Sequence, residues 1–171
     1  PTGGTGRTAE TAAITWGKRF AHLIGSCGPI HSSPRAGMAF TGASLSPALN
    51  ITENGCIFKN ITIYTAVATN LILVNMRGGY NYFENVHFAG IGHATAADDG
   101  TARCLVLTTS GENKFVGCKF GLDTVIRSAG SLLEQTGQCA NNRYVDCDFD
   151  TYADGAGAFW VTLNGAECYN K

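Results

Sequence analysis

The strongest constraint in this chain is a seven-residue pattern that occurs four times, at residues 57–63 (IFKNITI), 82–88 (YFENVHF), 114–120 (KFVGCKF) and 143–149 (RYVDCDF). After its first residue, each copy reads aromatic, any residue, turn-former, apolar, polar, apolar. The aromatic anchors Phe58, Phe83, Phe115 and Tyr144 are separated by 25, 32 and 29 residues. A period of a few tens of residues marks a stacked architecture, in which each unit buries its apolar face against its neighbours. The variable remainder places insertions in the loops between units.

Two kinds of stack fit such a period, a helical solenoid and a parallel β-helix. Helix-length stretches are few, and the units are dense in Gly, Asn, Thr, Val, Ile and aromatic residues, which suit pleated surfaces and turns. The expected fold is therefore all-β, a right-handed single-stranded parallel β-helix of about five coils. Within each copy the inside-outside alternation breaks once: Phe58 and Ile61 are three apart, Ile61 and Ile63 two apart. A bend at Asn60 returns all three side chains to the inside, and its equivalents Asn85, Gly117 and Asp146 are residue types that tolerate left-handed backbone. Stacking at the β spacing of about 4.8 Å then predicts two internal columns, Phe58, Phe83, Phe115, Tyr144 and Ile63, Phe88, Phe120, Phe149.

Around this repeat, residues 1–13 are read as an N-terminal linker or cap, with a short helix beginning in residues 8–13, and residues 14–171 as the β-helix domain. Ile14 to Gly25 reads as one or two strands and Met38 to Phe40 as another. Further strands are expected at Leu71 to Val74, Cys104 to Leu107, Val125 to Ile126 and Phe159 to Leu163. Ala89 to Ala102 and Ser128 to Asn142 are expected to leave the stack sideways as long loops, where recognition would sit. The start at Pro1 and a last segment, Cys168 to Lys171, that resembles the run-in to another aromatic strand read as cuts within a longer polypeptide.

The 171 residues make one domain. The net charge of -1 supplies no basic field for phosphate, so no nucleic-acid partner is expected. No apolar run approaches the roughly 20 residues that span a bilayer, and no membrane partner is expected. Seven cysteines exclude a complete disulfide framework within the chain. Cys118 and Cys147 fall at the apolar position of Ile61 and Val86, where a thiol acts as a small hydrophobe, so the cysteines are expected to be free and buried and the setting reducing.

Two acidic clusters are the candidates for chemistry. Asp98 and Asp99, with Arg103 nearby, have the makings of a Ca²⁺ site or an acid/base pair, and equally of a solvated loop turn. Asp146, Asp148, Asp150 and Asp154 alternate along a strand, which more often gives a solvated stripe on a stack exterior. His22, His31, His87 and His93 are scattered without a nucleophile and acid beside them; His87, between inward Val86 and Phe88, is expected to face out, and His93 to lie at a surface or interface. The Gly3-Gly4-Thr5-Gly6 run lacks the Lys of a phosphate loop. No catalytic, cofactor-binding or metal-binding residue is assigned, and no cofactor is expected.

The segment from Ile14, with its Phe20-Ala21-His22-Leu23-Ile24-Gly25, resembles the opening coil of the pectin-lyase-like parallel β-helix superfamily. Residues 81–95 (NYFENVHFAGIGHAT) and 120–127 (FGLDTVIR) resemble segments of β-helical structural proteins of tailed bacteriophages. The resemblance implies a virion component assembled in the host cytoplasm: a capsid decoration (cement) protein binding the major capsid protein and itself, or part of a tail fibre or tailspike. A homotrimer is the implied oligomer. The alternative it implies is a glycan-binding or polysaccharide depolymerase domain acting on a host glycan, with a site at a trimer groove built from Asp98, Asp99 or the Asp146 series. The depolymerases of this superfamily carry acidic clusters that cannot be matched here residue by residue.

Overall fold

A computed structural model describes residues 7–27 and 36–168. It is a parallel β-solenoid of about five turns, 56% strand and 3% helix. The first coil carries β1 (Arg7–Glu10), β2 (Ile14–Trp16) and β3 (His22–Ile24), and the second β4 (Gly37–Phe40), β5 (Leu49–Ile51) and the start of β6 (Ile57–Thr65). The third runs from the rest of β6 through β7 (Ile72–Met76) into β8 (Tyr82–Ile91). After α1 (Ala94–Ala97), the fourth continues through β9 (Arg103–Thr108) and β10 (Lys114–Val116). The fifth holds β11 (Lys119–Phe120), β12 (Ile126–Gln138) and β13 (Arg143–Val145), and β14 (Asp148–Phe149) and β15 (Tyr152–Glu167) open a further one. One sheet has the order β2-β5-β7-β9-β12-β15; the other contains nine strands.

The bends fold that second sheet into two faces. Asn60, Asn85, Gly117 and Asp146 all have positive φ, 54°, 51°, 56° and 51°, so the turn expected from the repeat is present in all four copies. A second column of positive φ lies three residues before each anchor, at Phe20, Gly55, Tyr80, Glu112 and Asn141. Between these two bends, each of the middle coils is held to a short straight arm, and its anchor points inward. Phe58 stacks on Phe83 with ring centroids 5.0 Å apart, Phe83 on Phe115 at 4.8 Å, and Phe115 on Tyr144 at 4.9 Å. The second column follows suit, Phe88 on Phe120 at 5.1 Å and Phe120 on Phe149 at 4.8 Å, with Ile63 in register below Phe88. Each fully buried ring contributes on the order of 2 to 3 kcal/mol from burial, and each stacked pair roughly 0.5 to 1.5 kcal/mol more.

The turn entering each arm is held by side-chain amides, a feature the repeat alone did not disclose. The Cys56 backbone N–H donates to Asn81 Oδ1 at 2.8 Å, the Asn81 N–H to Asn113 Oδ1 at 2.9 Å, and the Asn113 N–H to Asn142 Oδ1 at 3.1 Å. All three asparagines are buried. The same turn supplies acceptors for their amide groups: Asn81 Nδ2 donates to Gly78 O, and Asn142 Nδ2 to Ser110 O and Cys139 O. Buried polar groups are thus satisfied from coil to coil, as the low-polarity interior demands.

Four expectations are corrected. Residues 8–13 do not begin a helix: Arg7–Glu10 form β1, paired with β4, because the neighbouring coil completes the backbone hydrogen bonds of this strand. Ala89 to Ala102 does not project: β8 extends to Ile91, and Ala96, Ala97 and Ala102 are buried. Most of Ser128 to Asn142 is strand, because β12 is a central strand flanked by β9 and β15. His87 keeps its outward parity yet is buried, with Nε2 2.8 Å from the Gly121 carbonyl of the next coil.

Candidate functional site

The acidic pair beside α1 does not converge on a common point. Asp99 Oδ1 accepts from the Thr101 N–H at 2.7 Å and the Thr101 hydroxyl at 2.6 Å, and these bonds hold its carboxyl below the ordinary aspartate value. Asp98 Oδ1 instead reaches across to β12, accepting from the Ser128 N–H at 3.1 Å and its hydroxyl at 2.8 Å. Arg103 pairs with Glu134 and donates to the carbonyls of Gly100 and Ala102, both at 2.9 Å. Arg127, 3% exposed, donates from Nη1 to Ala102 O at 3.2 Å. The cluster works as a fastening of the α1 insertion to β12: each charge is spent on the chain itself.

The second acidic series is spread along the last coils. Asp146 sits at its bend, and Asp146, Asp148 and Asp154 are exposed. Asp150 pairs with Lys119 at 2.7 Å. Among the described residues no group of three or more His, Cys, Asp or Glu side chains is arranged to hold a metal ion. His22 Nδ1 accepts from the Ile57 N–H at 3.1 Å, and His93 precedes α1 with its Nδ1 buried and unpartnered. His31 lies outside the described residues. All seven cysteines are free, but only Cys56, Cys104, Cys118 and Cys139 are buried as expected, Cys27, Cys147 and Cys168 being half-buried; burial raises the Cys104 thiol above its ordinary value.

Among the described residues, four surfaces are open to recognition. On the outer side of the short arm, Lys59 pairs with Glu84 at 2.8 Å and lies 5.2 Å from the Tyr82 ring centroid, while the Tyr82 hydroxyl donates to the same carboxylate at 2.8 Å. At the adjoining corner, Phe20 and Tyr80 project from left-handed backbone, 68% and 69% exposed. The third is the last described strand, β15. Phe159, Val161 and Leu163 are in register with Ser131, Leu133 and Gln135 and share their inward parity, yet all three are exposed. Trp160, on the opposite face of β15, is exposed as well. At the other end, Trp16, Leu23, Met38 and Ile61 line a cleft of about 320 Å³.

Alternation identifies the strand at Phe159 to Leu163 but not its exposure, since it assigns parity and says nothing of what lies above. The signal for the amide column is present in the sequence, as an asparagine two residues before each of Phe83, Phe115 and Tyr144. No helix among the described residues is long and apolar enough to cross a membrane. No protein-family model, no curated protein and no solved structure matches the chain.

Proposed function

We propose that this chain is a structural protein of a bacteriophage virion, a capsid decoration protein that binds the major capsid protein and further copies of itself, as a homotrimer and without chemistry. The observation that carries this reading is the parallel solenoid itself, a stack in which each coil contacts only its neighbours and whose long regular sides suit protein partners. The engagement of Asp98, Asp99, Arg103 and Glu134 with their own chain supports a fastening role for that cluster over an acid/base one. The segments resembling phage β-helix proteins supply the virion setting, and the free cysteines agree with assembly in a reducing cytoplasm.

A second reading, a tailspike-type glycan-binding or depolymerase domain, is favoured by the exposed rings of Phe20 and Tyr80, since flat aromatic faces suit the apolar faces of sugars. Quantitative mass spectrometry of purified particles separates the two. A decoration protein is expected at a copy number comparable to the capsid protein, and a count of a few per particle overturns that reading. Release of new reducing ends from host capsule or lipopolysaccharide overturns the non-enzymatic reading in favour of the second.

A further inference from the structure

The coil position after each bend holds Ile61, Val86, Cys118 and Cys147 in turn. In the last two coils this column becomes a stacked pair of thiols. Val116 aligns with Val145 and Lys119 with Asp148, so Cys118 and Cys147 sit in register on adjacent coils. The Asp148 N–H donates to the Cys118 carbonyl at 2.9 Å, which fixes the two backbones at this point. Coils spaced at about 4.8 Å fall inside the roughly 4.4 to 6.8 Å Cα separation that a disulfide requires. The neighbouring Cys118 thiol lowers the Cys147 thiol below its ordinary value, and both also approach backbone carbonyls, Cys118 that of Val116 at 3.6 Å and Cys147 those of Val145 and Phe115 at 3.4 and 3.6 Å. Burial, first of all, holds Cys118 well above it. Cys118 is fully buried and Cys147 half-buried.

In a second stacked pair the neighbouring thiol acts the other way: burial, first of all, and the nearby Cys168 raise the Cys139 thiol. Cys139 donates to the carbonyls of Thr136 and Leu107 at 3.3 and 3.4 Å, and Cys168 to that of Gly137 at 3.5 Å. Cys56 likewise approaches backbone carbonyls.

We propose that Cys118 and Cys147 form a peroxide-sensitive oxidation site, in which the stacked dithiol closes to a disulfide that staples the last two bends of the solenoid together. Cys147, the more accessible sulfur, attacks one oxygen of hydrogen peroxide as its thiolate. The O–O bond breaks, the released hydroxide takes up a proton and leaves as water, and Cys147 becomes a sulfenic acid. The Cys118 sulfur then attacks the Cys147 sulfur. The S–O bond breaks, and a second water leaves with the proton of Cys118. Two thiols have lost two electrons and two protons, and one peroxide has been reduced to two waters.

The test is to titrate the reduced, folded protein with hydrogen peroxide, alkylate the remaining thiols and map the product without reduction. Cleavage by trypsin together with an Asp-specific protease separates Cys147 from Cys168. The expected product is lighter by about 2 Da, with Cys118 linked to Cys147 before any other pair, and melts roughly 5 to 10 °C higher than the reduced protein. Cys147→Ala and Cys118→Ala are expected to abolish the link, and Cys139→Ala to leave it intact. A first link between Cys139 and Cys168, or oxidation of Cys147 to sulfinic acid with Cys118 still reduced, overturns the proposal. The wild-type map distinguishes these outcomes even where a variant fails to fold.

Discussion

Leu133 and Val161 occupy the same place in adjacent coils, in register and with the same inward parity, yet Leu133 is 1% exposed and Val161 39%. Residue type does not separate them. What differs is that Leu133 has Leu105 on one side and Val161 on the other, whereas Val161 has a described neighbour on one side only. A solenoid interior is built in slices, so a side chain is buried by the coils on either side of it and not by a common centre. Inward parity is a property of the local sequence; burial is a property of the stack.

That comparison sets the order of the mutational effects. Leu133→Ala is expected to lower the unfolding free energy by about 2 to 5 kcal/mol, and Val161→Ala by less than about 1 kcal/mol, measured by denaturant unfolding. Equal losses would mean that the β15 end is covered in solution, and the contrast between the two slices would fail. Next, Asn113→Ala takes the acceptor from the buried Asn81 N–H, and the loss expected is about 1 to 3 kcal/mol. The exposed Asn141, in the same turn of the next coil, should cost less, about 1 kcal/mol, because its φ of 58° disfavours alanine.

A smaller effect separates backbone strain from packing. Gly117 has a φ of 56° and open space where a Cβ would sit, so Gly117→Ala tests conformation alone and should cost about 1 kcal/mol. Tyr80→Gly, at a φ of 57° on an exposed corner, should instead gain a few tenths to about 1 kcal/mol. The smallest effect lies on the outer face. The Lys59 hydrogen bond holds the Glu84 carboxyl below its ordinary value of 4.5. Its contribution is therefore present above that pH and is lost as pH falls through and below it. Melting curves of wild type and Lys59→Met should differ slightly at about pH 6 and converge towards about pH 3; a gap that persists in acid would assign the role of Lys59 to its packing on Tyr82.

The repeat makes the fold legible because its constraints are local and repeated. Phe83 must point inward, Asn85 must tolerate left-handed backbone, and the same demands recur at Phe115 and Gly117. Parity alone misplaces His87, because outward parity is not exposure and its ring is long enough to reach the Gly121 carbonyl one coil away. Composition alone misplaces residues 128–138, because Ser128, Gly130, Ser131 and Gly137 are loop-forming types, and only pairing on both edges makes them a strand. The candidate chemistry is legible as composition but not as geometry. Asp98 and Asp99 are adjacent in sequence, yet one bonds within its own turn and the other to Ser128, a divergence no spacing rule contains.

The buried asparagines also bear on how this chain tolerates change. The anchors are 25, 32 and 29 residues apart, so each circuit has a different length. The bond from Asn81 to Asn113, and from Asn113 to Asn142, closes every circuit at the same point regardless of that length. An insertion upstream is absorbed before the amide is reached, and the next arm begins in frame. Because each amide answers the N–H of the coil before it, a slip of even one residue leaves a buried donor unanswered. The column is thus a phase reset repeated at each turn, and it frees the segments between resets to diverge in length and sequence while the aromatic interior stays aligned.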